Sequence, residues 1–228
     1  MDPAPTPTFR GWHARGYLPH CDFADTTQFV TFRLGDSLPP SIRKRIDRER
    51  SPSIKTKLEE GMIDQGFGRC HLQVPAVADM VEKTLLFFHE TRYRLHAWVI
   101  MPNHVHVLVR IFDQFSLSQV MHSWRSFSGH EAKKLIPELD EDFWAKDYHD
   151  RYNRDSAHYW KVIRYIERNP VKAKLCSEPD EWPYSSARFD RDREPLRLML
   201  PSGGSEAGGT PAVPVSAEPT DSSTPTQK

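Results

Sequence analysis

The stretch from Leu95 to Ile111 constrains this chain more than any other: Leu-His-Ala-Trp-Val-Ile, then Met101-Pro102-Asn103, then His-Val-His-Val-Leu-Val-Arg-Ile. Two runs of strand-forming residues flank a short segment in which proline fixes one backbone angle and asparagine tolerates a left-handed one, so the stretch reads as a β-hairpin. Its second arm alternates with a period of two. Val105, Val107 and Val109 therefore share one face, and His104, His106 and Leu108 share the other. The valines predict the core side. Two imidazoles then sit side by side on the opposite face, close enough to share a metal ion and poorly placed for buried packing.

The 228 residues suffice for one domain with a full core, and the Pro/Ser/Thr-rich ends predict that less than the whole length folds. We expect a flexible arm over 1–20, a folded domain over 21–195 and a disordered tail over 202–228. The 31 basic and 31 acidic residues cancel, so a nucleic-acid site must come from local clustering. The start Met-Asp-Pro-Ala-Pro carries no secretion signal and no long apolar run follows, which predicts a cytoplasmic protein that does not enter a membrane. Cys21, Cys70 and Cys176 are odd in number and widely spaced, as expected of reduced thiols.

Gln28 to Leu34 is β-branched and aromatic, a strand able to pair with the hairpin. Pro39-Pro40 opens a charged helical stretch through Glu60 that reads as a solvated face or, less commonly, as a DNA-contacting one. Gly66-Phe67-Gly68 is a turn. Val77, Val81, Leu85 and Phe88 follow at helical spacing, so a helix within 75–91 should cover the valine face. Leu117, Val120, Met121 and Trp124 mark another helix, running through Lys134. Trp124 and Arg125 there could stack on unpaired bases, or form a core indole beside a surface guanidinium. Residues 143–152 read as a short strand or extended segment.

Asp155 offers an N-cap for a helix over 156–168 whose apolar stripe is Tyr159, Val162, Ile163 and Ile166. Tyr165 then lies off that stripe with Lys161, Arg168, Asn169 and Lys172 around it, although Pro170 disturbs the end. This is a local phosphate-attracting patch in a neutral chain. If His104 and His106 bind a divalent cation, a further ligand is needed, and the amide oxygen of Asn169, one turn beyond Tyr165, is a candidate. A phenol is a weak nucleophile at neutral pH unless cations favour its phenolate, and Lys161, Arg168 and the metal could do so. A metal beside an activated tyrosine implies attack on a phosphodiester with a phosphotyrosine left behind. Simple hydrolysis would need only water.

Three separated motifs occur in order: Met-Pro-Asn-His104-Val105-His106, then Tyr165-Ile-Glu-Arg-Asn169-Pro-Val-Lys-Ala, then Trp182-Pro-Tyr-Ser-Ser. Together they resemble the single-tyrosine His-hydrophobic-His transposases, in particular the REP-associated tyrosine transposases, over about 27–187. The resemblance implies an α+β fold, an antiparallel sheet with helices packed on it. It also implies magnesium or manganese on His104, His106 and Asn169, and attack by Tyr165 on single-stranded DNA beside a REP-like hairpin. Lys161, Arg168, Lys172, Trp124 and Arg125 become candidate DNA contacts. Two features depart from the family pattern: the charged 40–66 stretch is long, and Lys174 stands where the motif often has glycine. Neither is expected to touch the chemistry. Monomer and homodimer both stay open. The rival readings are a water-using metal nuclease or phosphoesterase, which would not need Tyr165, and a DNA-binding regulator, which would not need metal.

Overall fold

The computed structural model describes residues 11–15, 18–22, 26–139, 142–153 and 155–192. The first ten residues of the expected arm and the whole 202–228 tail lie outside that set. Within the arm, β1 (Gly11–Arg15) and β2 (Leu18–Asp22) pair antiparallel, Trp12 opposite Cys21, where the proline-rich sequence suggested only a flexible segment. Two short strands joined by two residues need little apolar periodicity, which is why the pattern did not reveal them.

The main sheet is antiparallel and has the order β4 (Tyr93–Ile100), β5 (His104–Ile111), β3 (Thr27–Arg33), β6 (His149–Tyr152). Five α-helices accompany it among the described residues: α1 (Pro40–Arg48), α2 (Pro52–Ile63), α3 (Pro75–Leu86), α4 (Leu117–Leu135) and α5 (Ser156–Lys172). This is the α+β architecture expected from the sequence. The charged stretch is two helices rather than one, because Ser51-Pro52 restarts it with proline in the first turn.

The predicted hairpin is β4–β5, closed by the Met101 N–H donating to the His104 carbonyl at 2.8 Å. Asn103 is not left-handed, so the turn does not use the backbone freedom that its residue type offers. The valine face is the core. Val105, Val107 and Val109 are fully buried among Val30 and Phe32 of β3, Val77, Val81 and Leu85 of α3, and Val120, Met121 and Trp124 of α4. Burying each of these aliphatic side chains contributes on the order of 2 kcal/mol.

The histidine face is covered differently. α5 packs across β4 and β5 through Tyr159, Val162, Ile163 and Ile166, all buried. Asp155 caps it as predicted, accepting from the His158 N–H at 2.8 Å. The helix runs on past Pro170 to Lys172 because its closing bonds do not need the proline N–H: Lys174 donates to Val171 O at 3.0 Å and Leu175 to Pro170 O at 2.9 Å. That pair of bonds is a Schellman motif, which requires a left-handed residue at its penultimate position. Lys174 takes that conformation, φ 59°, accounting for glycine in the family pattern.

α2 reaches the same face from the other side. Glu59, buried, accepts from Arg33 Nε of β3 at 2.7 Å and lies 2.8 Å from His149 Nε2 of β6. A small apolar cluster, Leu38, Ile46 and Ile63, holds α1 to α2. Trp182 to Ser186 then runs beside β4: Ile100 N–H donates to Tyr184 O at 2.8 Å, Trp98 N–H to Ser186 Oγ at 3.1 Å, and Trp182 Nε1 to Ile100 O at 3.0 Å. Ser186 Oγ donates in turn to Glu167 of α5 at 2.9 Å, tying the tyrosine helix to this segment.

Candidate active site

His104 and His106 stand two residues apart on β5 and turn their Nε2 atoms toward one another, 3.1 Å apart. Both rings are fully buried under α5, contrary to the exposed pair expected from strand alternation alone. Each is fixed from behind. His104 Nδ1 lies 2.8 Å from Asn103 Oδ1, and the Asn103 amide is oriented by donating its Nδ2 proton to Phe67 O at 2.9 Å. Since Asn103 Oδ1 can only accept, the proton of a neutral His104 sits on Nδ1 and leaves Nε2 bare. His106 Nδ1 lies 2.7 Å from Thr31 Oγ1, directly across the β3–β5 ladder. Burial lowers the His104 pKa to about 4; Lys172 reinforces the shift and Asp64 opposes it. His106 is lowered well below its ordinary value by burial, His104 and Lys172. Both rings are thus neutral near pH 7, the form that binds metal.

Asp64, the residue that ends α2, brings a carboxylate to this pair. Its Oδ1 is 3.7 Å from His104 Nε2, and one ligand atom from each of Asp64, His104 and His106 lies within 4.8 Å of the others. The sequence reading kept the charged 40–66 stretch away from the chemistry; the structure corrects this. The return path from α2 passes through Gly66 (φ 71°) and Gly68 (φ 92°), where a side chain would also meet Asp36 at 2.9 Å. That turn puts the Phe67 carbonyl against Asn103. A carboxylate 40 residues ahead of the histidines carries no sequence signal of its own.

Tyr165 is half-buried on the near side of α5, its ring centroid 5.4 Å from that of His106 and 5.8 Å from that of Phe29. Asn169 departs from its expected position among the surface cations, because it is only 1% exposed. At 100° per residue it lies about 40° from Tyr165 toward the apolar stripe, whereas Lys161, Arg168 and Lys172 lie about 20–60° away from it. Asp64 Oδ1 has no hydrogen-bond partner, and the buried Asn169 amide has none apart from the Tyr165 phenol, whose pKa it helps to lower. Orphaned buried oxygens of this kind ask for a ligand.

The cations line a cleft of about 460 Å³ formed by Lys161, Arg164, Tyr165, Arg168, Val171 and Lys172. Arg164 was not singled out from sequence, although its spacing of three from Lys161 and four from Arg168 puts it on the same stripe. Lys161 and Arg168 were expected to favour the phenolate. Instead, burial first and then Asp64 and Glu60 push the Tyr165 pKa up, and Arg151 and Asn169 only partly oppose them.

Trp124 is not a stacking platform. It is 2% exposed on the valine side of the sheet, donates Nε1 to Tyr93 Oη at 2.8 Å, and packs edge-on against the Tyr93 ring. Arg125 donates to the Ala145 carbonyl and lines a separate cleft of about 490 Å³ with His122, His130, Lys133 and Lys146, on the far side of the sheet from the histidines. Neither belongs to the tyrosine site.

The donor set suits a divalent metal. Nε2 of both imidazoles and a carboxylate oxygen of Asp64 come together, Asp64 Oδ1 lacks a hydrogen-bond partner, and the Asn169 amide is buried one turn beyond Tyr165. No helix of the described residues is long and apolar enough to cross a membrane.

Residues 77–169, from α3 through Asn169, match the family described as Transposase IS200 like. More particularly, the chain resembles the REP-associated tyrosine transposases. It is 28% identical over 105 residues to "REP-associated tyrosine transposase" of Escherichia coli (strain K12), an alignment covering 44% of this chain and 56% of that protein. The chain thus spans little more than half the length of that relative. In fold it is similar to the "REP associates tyrosine transposase bound to a REP hairpin", with a TM-score of 0.51 at 17% identity, covering 75% of this chain and 82% of that one. A "putative transposase from deinococcus radiodurans r1" superposes at a TM-score of 0.34 and 14% identity, covering 69% of this chain and 96% of that one. The family match begins after Asp64 and so does not include it.

Proposed function

We propose that this chain is a metal-dependent single-stranded DNA endonuclease and strand transferase that acts beside REP-like hairpins through a covalent 5′-phosphotyrosine. The observation that carries this reading is the meeting, in one chain, of two convergent neutral imidazoles, the buried amide of Asn169 and the Tyr165 ring against His106. His104, His106 and Asn169 are the proposed metal-holding residues, for magnesium or manganese, with Asp64 beside them. A bound divalent cation supplies Lewis acidity that polarises a non-bridging phosphoryl oxygen.

The chain's own residues account for the rest. Asn103 and Thr31 hold the two rings so that no reorganisation is needed when DNA arrives. Lys161, Arg164, Arg168 and Lys172 track backbone phosphates and bring one diester over Tyr165. The phenolic oxygen forms a bond to phosphorus, the bond from phosphorus to the 3′-oxygen breaks, and the departing oxygen takes a proton from solvent. The phenol gives up its own proton to solvent, a step that burial, Asp64 and Glu60 oppose until cations are gathered there. The bond energy is kept in the phosphotyrosine for rejoining. A protein of similar fold solved bound to a REP hairpin supports the choice of DNA partner.

The test is a denaturing gel after incubation with hairpin-bearing single-stranded DNA and manganese. Wild type should give a covalent adduct, and Tyr165→Phe should give none while binding the hairpin with near-unchanged affinity. Released fragments without adduct from both proteins would establish water as the nucleophile. Hairpin binding with no cleavage would leave a DNA-binding regulator.

A further inference from the structure

Lys172 Nζ lies 2.6 Å from Asp64 Oδ2, while Asp64 Oδ1 faces His104 Nε2 at 3.7 Å and has no hydrogen-bond partner. The same ammonium lies 5.9 Å from the Tyr165 ring centroid and lines the cationic cleft. One carboxylate therefore connects two places: the pocket between the histidines and the groove beside the tyrosine. We propose that Asp64 and Lys172 form an exchangeable pair. Without metal, Lys172 is the counterion of Asp64. When a divalent cation binds, Asp64 becomes its ligand and Lys172 is released to a DNA phosphate in the cleft. The proposal rests on the metal-site reading above and extends it to the order in which metal and DNA are taken up.

The argument is electrostatic and geometric. Two buried neutral imidazoles and an amide carry no charge against a divalent cation, so Asp64 is the nearby group able to neutralise part of it. Asp64 is mostly enclosed, with its side chain 13% exposed, and would be costly there without a cation; Lys172, 63% exposed, fills that role on a flexible stem. An ion pair with one partner so exposed is weak, so a divalent cation can displace it. Once displaced, the ammonium is on the same α5 stripe as Lys161, Arg164 and Arg168, where a phosphate takes the place of the carboxylate. Metal and single-stranded DNA should then bind with positive, reciprocal coupling.

The experiment is manganese titration, by the loss of the free-ion electron paramagnetic resonance signal, of wild type, K172M, D64N and the D64N/K172M double variant. H104A is the site control, and melting curves confirm that each variant folds. We expect K172M to bind manganese about three- to tenfold more tightly than wild type. D64N should bind about tenfold or more weakly, with D64E recovering part of the loss. In the D64N background, adding K172M should change affinity little, because the competitor has nothing left to hold. An equal tightening by K172M in both backgrounds would overturn the exchange, reducing Lys172 to a distant like charge, and so would unchanged affinity in D64N. Manganese binding by neither wild type nor H104A would overturn the exchange together with the metal reading on which it rests.

A second readout uses Tyr165→Phe, which cannot react, with labelled single-stranded DNA. Manganese should strengthen DNA binding, and K172M added to this variant should remove most of that strengthening. Strengthening of equal size with and without Lys172 would overturn its release to DNA.

Discussion

Asn103 accepts from His104 Nδ1 at 2.8 Å with one side-chain atom and donates to the Phe67 carbonyl at 2.9 Å with the other. The turn residue of the hairpin is therefore also the bracket that aims the first histidine, and the loop after α2 is what holds the bracket. Asn103→Ala should lower metal affinity by about 10–100-fold and stability by about 1–3 kcal/mol, since two buried hydrogen bonds go. Asn103→Asp keeps the acceptor for His104 but cannot donate to Phe67 O. It should keep more metal affinity than alanine while losing comparable stability. Manganese titration beside urea melts checks both, and equal metal affinity in Asn103→Ala and wild type would remove Asn103 from the site.

Asn169 gives an opposite pattern, because its buried amide has no hydrogen-bond partner to lose apart from the Tyr165 phenol. Asn169→Ala should leave the melting temperature unchanged or raise it, and should move cleavage to higher manganese. Asn169→Asp retains an oxygen at that place and should keep more activity than alanine. A drop in stability without a shift in manganese dependence would make Asn169 a packing residue.

Glu59 supplies a pH test of how α2 is held. Burial alone would raise its pKa, but the His149 hydrogen bond and charge, then Arg33, outweigh it and hold the carboxyl at about 2 against an ordinary 4.5. Because the folded value is depressed, the stabilisation is complete above pH 4.5 and is lost as pH falls through 2. It amounts to roughly 3 kcal/mol. Glu59→Gln should therefore melt well below wild type at pH 7, with the gap closing as both are taken toward pH 2. A gap that stays constant with pH would show that the carboxylate charge is not what clamps the helix.

Lys174 holds the left-handed position that closes α5, φ 59°. Lys174→Gly should raise stability by about 0.5–1 kcal/mol, whereas Lys174→Ala should not, since only glycine escapes the penalty of that backbone conformation. Urea melts of the two variants decide it.

The features that were legible in the sequence are those with local periodicity. Val105, Val107 and Val109 alternate with His104 and His106, and this fixes which face of β5 is core without any knowledge of its neighbours. The stripe of Tyr159, Val162, Ile163 and Ile166 likewise orients α5. What was not legible depends on packing between distant segments. Asp64 belongs to the histidines only because α2 is clamped to β3 and β6 through Glu59, and nothing in residues 52–64 announces that clamp. Asn169 was assigned to the right turn of helix but to its surface, since an offset of about 40° separates a solvated amide from a buried one. Trp124 and Arg125 are neighbours in sequence, yet one points into the core and the other away, so adjacency did not amount to a shared surface.

The Trp182–Ser186 segment has a consequence that reaches beyond the fold of one molecule. β4 is the outermost strand of its sheet on that side, and its Trp98 N–H, Ile100 N–H and Ile100 carbonyl are all engaged by Ser186, Tyr184 and Trp182. Those groups would otherwise be a template on which a strand of another molecule could add, and the apolar Val99 and Ile100 beside them would make such an addition adhesive. At the opposite border β6 is only four residues long, too short to recruit much. The motif thus works as a selvedge that keeps the sheet from fraying into its neighbours, and truncation ahead of Trp182 is a route to aggregation rather than merely to a weaker fold.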